Sequence, residues 1–272
     1  MKRIMILMSL LVSCSFILSK VDTYKDFVIL IPSYNNEPYA KPNILSAFQD
    51  YPEDHYRIIY VNDCSQDNTL PLIEETVTQN NKQHLTTIID NQDRKGALQN
   101  LYEVINNYIE DKEIVVILDG DDQLAHKDVL SWLNEFYTLN DIWLSYGQFM
   151  HSSDGHIGFC QPMPADIVKN NAFRQWRHGA SHLKTFYAKL FKNIKYSDLT
   201  LNDVFFEMCY DLAIMFPMIE QARDHFAFIP KVLYLYNDIN PISDHRKSKD
   251  LQRQLDLYIR ALPRYNPLDV LF

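Results

Sequence analysis

The chain reads as an α/β protein with a parallel, doubly wound sheet and helices on both faces. Two observations predict this. Short β-branched apolar runs alternate with amphipathic helical stretches through the first half of the chain, as consecutive βαβ units do. Within them, Glu113-Ile-Val-Val-Ile-Leu-Asp-Gly-Asp-Asp-Gln123 holds an unbroken apolar run from Ile114 to Leu118 that empties into Asp119-Gly120-Asp121-Asp122. A run of this kind is buried on both faces, as in the interior of a parallel sheet.

Phe27 to Ile31 forms the first strand, ended by Pro32, and Pro32-Ser-Tyr-Asn-Asn36 makes the turn after it. A helix is expected from Pro42 to Phe48 and a second strand from Tyr56 to Val61, ending at Asn62-Asp-Cys-Ser-Gln-Asp-Asn-Thr69. Leu70 to Val77 is amphipathic and helical, and Leu85 to Ile89 is a third strand. From Arg94 onward, Leu98, Leu101, Val104, Ile105, Tyr108 and Ile109 mark a helix with one apolar face. The strand carrying the acidic cluster follows, then a helix from Asp128 to Tyr137 and a fifth strand from Ile142 to Phe149.

Right-handed crossovers bring all strand carboxyl ends to one edge of such a sheet, where ligands bind. The Ser33/Tyr34 loop, Asp63 and the Asp119–Asp122 cluster should therefore share one crevice. Three carboxylates in four residues repel one another unless a cation sits between them, so the cluster is a candidate divalent-metal site. No glycine-rich phosphate loop follows the first strand, which disfavours the dinucleotide and P-loop folds.

The 272 residues suit one large α/β domain, and 47% hydrophobic content supports a packed core. A net charge of −9 argues against nucleic acid as a main partner. The four cysteines, Cys14, Cys64, Cys160 and Cys209, have neither zinc-site nor disulfide-scaffold spacing. Lys2-Arg3 and the apolar window Ile4 to Leu18 fit a signal peptide or short membrane anchor over residues 1–21, since about 20 residues are needed to span a bilayer. That reading puts the protein in the secretory pathway or against a membrane.

Val28-Ile-Leu-Ile-Pro-Ser-Tyr-Asn35, Tyr60-Val-Asn-Asp-Cys-Ser65 with Asp67 and Thr69, and Leu118-Asp-Gly-Asp-Asp122 together resemble the GT-A glycosyltransferases of family 2. The resemblance covers the first half of the chain. It implies a GT-A (Rossmann-like), mostly parallel sheet with a smaller irregular acceptor-side region. Residues 22–150 would form the nucleotide-sugar half and residues 151–272 the acceptor and base half of the same domain. By resemblance, Pro32, Tyr34 and Asp63 hold the nucleotide of a UDP-linked donor, and Asp119 and Asp121, with Gly120 between them and Asp122 adjacent, bind Mn2+ or Mg2+ on its diphosphate. Asn91 to Asn100 resembles a further family motif, with Arg94 and Lys95 placed near a helix start where an anion is favoured. The family's arginine before the asparagine is Gln99 here.

In the second half, Ser152 to Asp166 reads as a loop, Leu183 to Phe191 as helical and Asp250 to Leu262 as a C-terminal helix. Trp176-Arg-His-Gly179 either grips a sugar or packs. Asp211 sits among Phe205, Phe206, Met208, Leu212 and Ile214, surroundings that raise a carboxyl pKa and suit a general base. It also occupies the place of the family's Glu-Asp-Leu base motif, with Tyr210 where the glutamate would be; Glu220 is the competing carboxylate. After the apolar stretch Phe226 to Tyr236, the polar loop offers His245 as a further metal ligand and Arg246 or Lys247 as phosphate partners.

These readings together point to a metal-dependent inverting glycosyltransferase acting on a glycan, lipid or protein acceptor. Two rivals are a phosphatase of the haloacid-dehalogenase type, which also ends a buried strand in Asp-x-Asp, and a non-catalytic nucleotide-sugar-binding module.

Overall fold

A computed structural model describes residues 24–177, 180–242 and 248–272 of the chain. The N-terminal leader or anchor expected over residues 1–21 lies outside the described residues, as do His178, Gly179, His245, Arg246 and Lys247.

The first half alternates as expected: β1 (Phe27–Ser33), α1 (Glu37–Ala47), β2 (Tyr56–Asn62), α2 (Thr69–Gln79), β3 (Thr86–Asp90), α3 (Ala97–Tyr108) and β4 (Ile114–Ile117). β1 pairs in parallel with β2 on one side and β4 on the other, and β2 pairs in parallel with β3. Then come β5 (Gln123–Leu124), α4 (Val129–Leu139), β6 (Leu144–His151), α5 (Ala165–Lys169), β7 (Lys184–Tyr187) and α6 (Ala188–Lys192). A small hairpin of β8 (Thr200–Leu201) and β9 (Val204–Phe205) precedes α7 (Tyr210–Ala222), β10 (Phe226–Tyr236) and α8 (Lys249–Ala261).

Eight strands form one sheet in the order β3-β2-β1-β4-β7-β6-β10-β5. β7 runs antiparallel to both β4 and β6, β10 is parallel to β6, and β5 closes the edge antiparallel to β10. The sheet is therefore mostly parallel, and β7 and β10 of the second half complete the sheet begun by the first.

Strand periodicity sorts the core between the two faces. Val28 and Leu30 of β1 join Leu98, Leu101 and Ile105 of α3 and Ile214 and Met218 of α7 in one cluster. Phe27, Ile29 and Ile31 face the other way, onto Ile44 of α1, Ile73 of α2 and Leu130 and Leu133 of α4. Each such side chain, fully buried, contributes about 1.5–3 kcal/mol.

Three points of comparison with the sequence reading bear on the site. α1 starts at Glu37, with a proline in its first turn, so Pro42 lies inside the helix. α3 starts at Ala97, three residues later than the pattern counted from Arg94, with Arg94 and Lys95 in the loop just before the helix start as expected. The stretch Leu183 to Phe191 is a strand followed by a short helix, in place of one helix. Its first part fills the gap between β4 and β6, where Phe186 and Thr185 pair with Val115 and Val116, and that tertiary pairing decides its conformation. Among the described residues, no helix is long and apolar enough to cross a membrane.

Candidate active site

The carboxyl ends of β1, β2 and β4 open onto one cleft of about 310 Å³. Pro32 and Tyr34, Asp63, and Asp119, Gly120 and Asp121 all line it, so the three strand tips share the predicted crevice. Gly120 is needed there for close approach. Its N–H donates to the Pro32 carbonyl at 3.1 Å, and a Cβ on it would lie 2.5 Å from Ser33 Cβ and Oγ. Any side chain would push the β1 and β4 tips apart.

At one end of the cleft, Asp63 is buried and anchors the loop before α3. Its Oδ1 accepts from the Lys95 N–H at 2.9 Å and from Asn91 Nδ2 at 3.0 Å, and its Oδ2 accepts from the Gly96 N–H at 2.8 Å. Gly96 takes φ +86°, a left-handed backbone that suits glycine. The loop carries Arg94 over the Tyr34 ring, 3.9 Å from its centroid. That stacked pair forms one wall of the cleft, a flat surface on which an aromatic base can rest. Lys95 goes elsewhere: its Nζ pairs with Glu103 at 2.6 Å and it does not line the cleft. The expected phosphate contact of Lys95 thus has a competing partner in Glu103. Asn100, on the first turns of α3, does line the cleft, and among the described residues its buried Nδ2 has no hydrogen-bond partner.

The acidic loop divides its labour. Asp122 is fully buried, with Oδ2 accepting from the Tyr234 hydroxyl at 2.6 Å and Oδ1 from the Asn237 N–H at 2.6 Å. Burial first, then Asp121 and Asp119, push its carboxyl well above the usual carboxylate range. Asp119 accepts from the Tyr210 hydroxyl at 2.5 Å through Oδ1. Burial would raise its carboxyl too, but Lys184 above all, then His182 and the Tyr210 and Tyr234 hydroxyls, hold it below the usual range. Asp121 lines the cleft and accepts from Asn240 Nδ2 at 2.6 Å.

Two cleft residues have no counterpart in the sequence reading. His182 stacks on Tyr234 with ring centroids 4.5 Å apart, and its Nδ1 lies 3.9 Å from Asp119 Oδ2. Burial, reinforced by Lys184, pushes its imidazole down to about 3, so it is neutral at ordinary pH. Lys184 is a buried cation whose Nζ reaches the Tyr210 hydroxyl at 3.4 Å and His182 Nδ1 at 3.3 Å. The sequence signal was the alternation His182, Lys184, Phe186 about Leu183 and Thr185, a strand period masked by a helical assignment.

Among the described residues, Asp119, Asp122 and His182 present ligand atoms within 4.8 Å of one another. Oxygen and imidazole donors suit Mn2+, and Mg2+ through the carboxylates alone. Burial first, and repulsion from Asp121 and Asp119 after it, raise the Asp122 carboxyl, and a dication would offset that repulsion, so the residues fit such an ion. Asp119, Asp122 and His182 are thus the donor set that converges, and Asp121 lines the same cleft beside them. His245 lies outside the described residues.

Asp211, in the first turn of α7, lies where this cleft meets a second cavity of about 600 Å³, and it lines both. Burial raises its carboxyl pKa, with Lys184 pulling the other way. Its rival Glu220 is elsewhere, fully buried in a two-point pair with Arg174 at 2.6 and 2.9 Å and accepting the Tyr265 N–H at 3.0 Å. Glu220 is thus structural. Trp176 is buried and packs, and Arg177 lines the second cavity.

A family model described as glycosyl transferase family 2 matches residues 28–197. The curated poly(ribitol-phosphate) beta-N-acetylglucosaminyltransferase TarS of Staphylococcus aureus is 27% identical over 116 residues, 41% of this chain. The match spans only about a fifth, 19%, of that relative's length. Among solved structures, S. aureus TarS 1–349 in complex with UDP-GlcNAc is similar at TM-score 0.61 and 18% identity, covering 86% of this chain and 66% of that one. A Pyrobaculum calidifontis mannosyltransferase in complex with GDP-Man and Mn2+ gives TM-score 0.59 at 18% identity, over 90% of this chain and 67% of that one. The glucosyl-3-phosphoglycerate synthase of Mycobacterium tuberculosis, with Mn2+, UDP and phosphoglyceric acid, gives 0.58 at 14% identity, over 88% and 80%. These structural likenesses carry the GT-A fold.

Proposed function

The chain belongs to glycosyl transferase family 2, and from that premise we propose that it is a metal-dependent inverting glycosyltransferase using a UDP-linked sugar. Membership sets aside the phosphatase reading. The observation that carries the proposal is the position of Asp211: it lines both the cleft holding Tyr34, Asp63 and Asp119 and the separate cavity beside it. A carboxylate at such a junction can face an acceptor hydroxyl from one side and a donor sugar from the other. A carboxylate desolvated at such a junction favours a catalytic role over simple binding.

In this reading the nucleobase stacks on the Tyr34–Arg94 wall, and Asp63 and Asn100 receive its polar edge and ribose. Asp119, Asp121 and Asp122, with His182 beside them, would hold a divalent cation. When bound, that cation supplies Lewis-acid stabilisation of the charge developing on the departing diphosphate. The raised pKa of Asp211 makes it a base matched to a hydroxyl. It takes the acceptor proton as the acceptor oxygen attacks the anomeric carbon, the bond to the diphosphate oxygen breaks, and the configuration inverts. Lys184 keeps both Asp119 and Asp211 from the full penalty of burial.

The test is a panel of nucleotide sugars assayed for released nucleoside diphosphate, with Mn2+, with Mg2+ and after chelation. UDP-sugars should be consumed in a metal-dependent way. Donor binding with no release or transfer to any acceptor would leave the non-catalytic module standing in its place.

A further inference from the structure

The second cavity differs chemically from the first. On a chain of net charge −9, three cations, Arg177, Lys249 and Arg253, line it. Among the described residues none of the three makes an ion pair, whereas Arg260 and Asp256 in the same wall neutralise each other at 2.9 Å. Lys249 and Arg253 stand four residues apart on α8, so they share a helix face and repel. Lys249 also opens the helix, where the macrodipole disfavours a cation. The helix therefore gains nothing from either charge at its own position. Both become favourable if an anion occupies the space between α8 and Arg177.

The cavity has room for one. Its volume of about 600 Å³ falls within the range of about 300–1,000 Å³ usual for small-molecule sites. Phe159, 57% exposed, supplies an apolar wall on which a sugar ring can lie. Asp211 stands at the end that joins the donor cleft.

We infer that this cavity takes an acceptor sugar or polyol bearing an anionic group, a phosphate ester or a carboxylate, held by Arg177, Lys249 and Arg253 while its hydroxyl faces Asp211. The inference rests on the glycosyltransferase reading and adds the acceptor's chemical class to it. Recognition then works by charge: an anionic group gains ion pairs with Arg177, Lys249 and Arg253 that a neutral acceptor cannot make.

The experiment uses the full chain saturated with UDP and Mn2+, titrated calorimetrically with glucose, glucose 6-phosphate and glucuronate, which differ only at one carbon. The two charged sugars should bind about tenfold or more tighter than glucose, an advantage that falls with added salt. Arg177→Glu combined with Arg253→Glu should erase that difference while the affinity for UDP stays as in the unaltered chain. Should the double variant not fold, the comparison of the three sugars on the unaltered chain decides alone. Equal binding of all three, or a charge preference that survives the double variant, would overturn the inference. Binding to phosphatidylglycerol vesicles, with no response to the soluble sugars, would overturn it in favour of a membrane surface. Failure to bind UDP in the first step would instead count against the donor-site reading.

Discussion

The Tyr210 hydroxyl donates to Asp119 Oδ1 at 2.5 Å, tying the start of α7 to the tip of β4 across 91 residues of chain. Burial and the Asp119 charge push the Tyr210 phenol well above its ordinary range, so it remains a donor. A glutamate at this position would set a second carboxylate against Asp119. The tyrosine instead makes one side of the site hold the other, with Asp211 as its immediate neighbour. Tyr210→Phe should remove a hydrogen bond to a charged group, about 1.5–3 kcal/mol of stability. It should also lower kcat by roughly ten- to a hundredfold through misplacement of Asp211. Urea unfolding and steady-state kinetics measure the two effects, and an unchanged kcat would mean the tie does not position the base.

Asp211→Asn should cost about 10²–10⁴ in kcat with UDP affinity unaltered. Burial raises the Asp211 carboxyl above its unfolded value, against the pull of Lys184, so the working carboxylate appears only as pH climbs through that raised pKa. The rate should therefore rise with pH and level off above it. The stability linkage has the opposite sense: the folded state holds this proton more tightly than the unfolded one. Its stabilising contribution is complete below the unfolded carboxyl pKa and is lost as pH rises through the folded value. The asparagine variant should flatten that decline in a series of melting curves.

Glu220 separates structure from chemistry. Its pair with Arg174 is buried on both sides, and Arg174 Nη1 also caps the Ile259 carbonyl of α8 at 2.6 Å. Arg174→Ala leaves a buried charge without its partner and should destabilise the fold by about 3–5 kcal/mol. Whatever fraction remains folded should turn over at the normal rate. A folded Glu220→Gln protein whose kcat fell as far as that of Asp211→Asn would reopen the choice of base.

What the sequence made legible was local or set by strand topology. β1, β2 and β4 announce themselves as apolar runs, and parallel connectivity then forces Tyr34, Asp63 and Asp119 to one rim. Asp211 stood out because so many apolar residues surround it in the sequence. What was hidden depended on partners distant in the chain. β7 looks helical in isolation and becomes a strand because β4 and β6 need a neighbour, and His182 and Lys184 enter the cleft with it. That Lys95 pairs with Glu103 and Glu220 with Arg174 likewise depends on partners the sequence does not bring together.

The Tyr34–Arg94 wall predicts a donor effect separable from the metal. Arg94 lies 3.9 Å over the tyrosine ring and both border the cleft. Tyr34→Ala should weaken UDP binding by roughly 1–3 kcal/mol, the value of one base–aromatic stack, and leave Mn2+ binding unchanged. Titration of each ligand alone checks the split. Equal loss of both would mean that Tyr34 supports the acidic loop and not the base.

Metal binding should carry a proton with it. Burial, then Asp121 and Asp119, hold the Asp122 carboxyl well above the ordinary range, while the His182 imidazole is pushed down to about 3 and is already neutral. The metal-free site therefore retains a carboxyl proton over a window in which the imidazole has none to lose. A dication beside Asp119 and Asp121 offsets the repulsion that keeps that proton on, so binding expels it, and apparent affinity rises with pH through the window. Without metal, the stabilising contribution of the Asp122 proton is present below the unfolded carboxyl pKa and fades as pH rises through the folded one. The melting-temperature gain from Mn2+ should accordingly be larger near about pH 8 than near about pH 5, and chelation should reverse it. Calorimetry in buffers of different ionisation enthalpy should detect net proton release on metal binding. Equal gains at both pH values with no proton released would show that the cation binds without relieving the crowding of Asp119, Asp121 and Asp122.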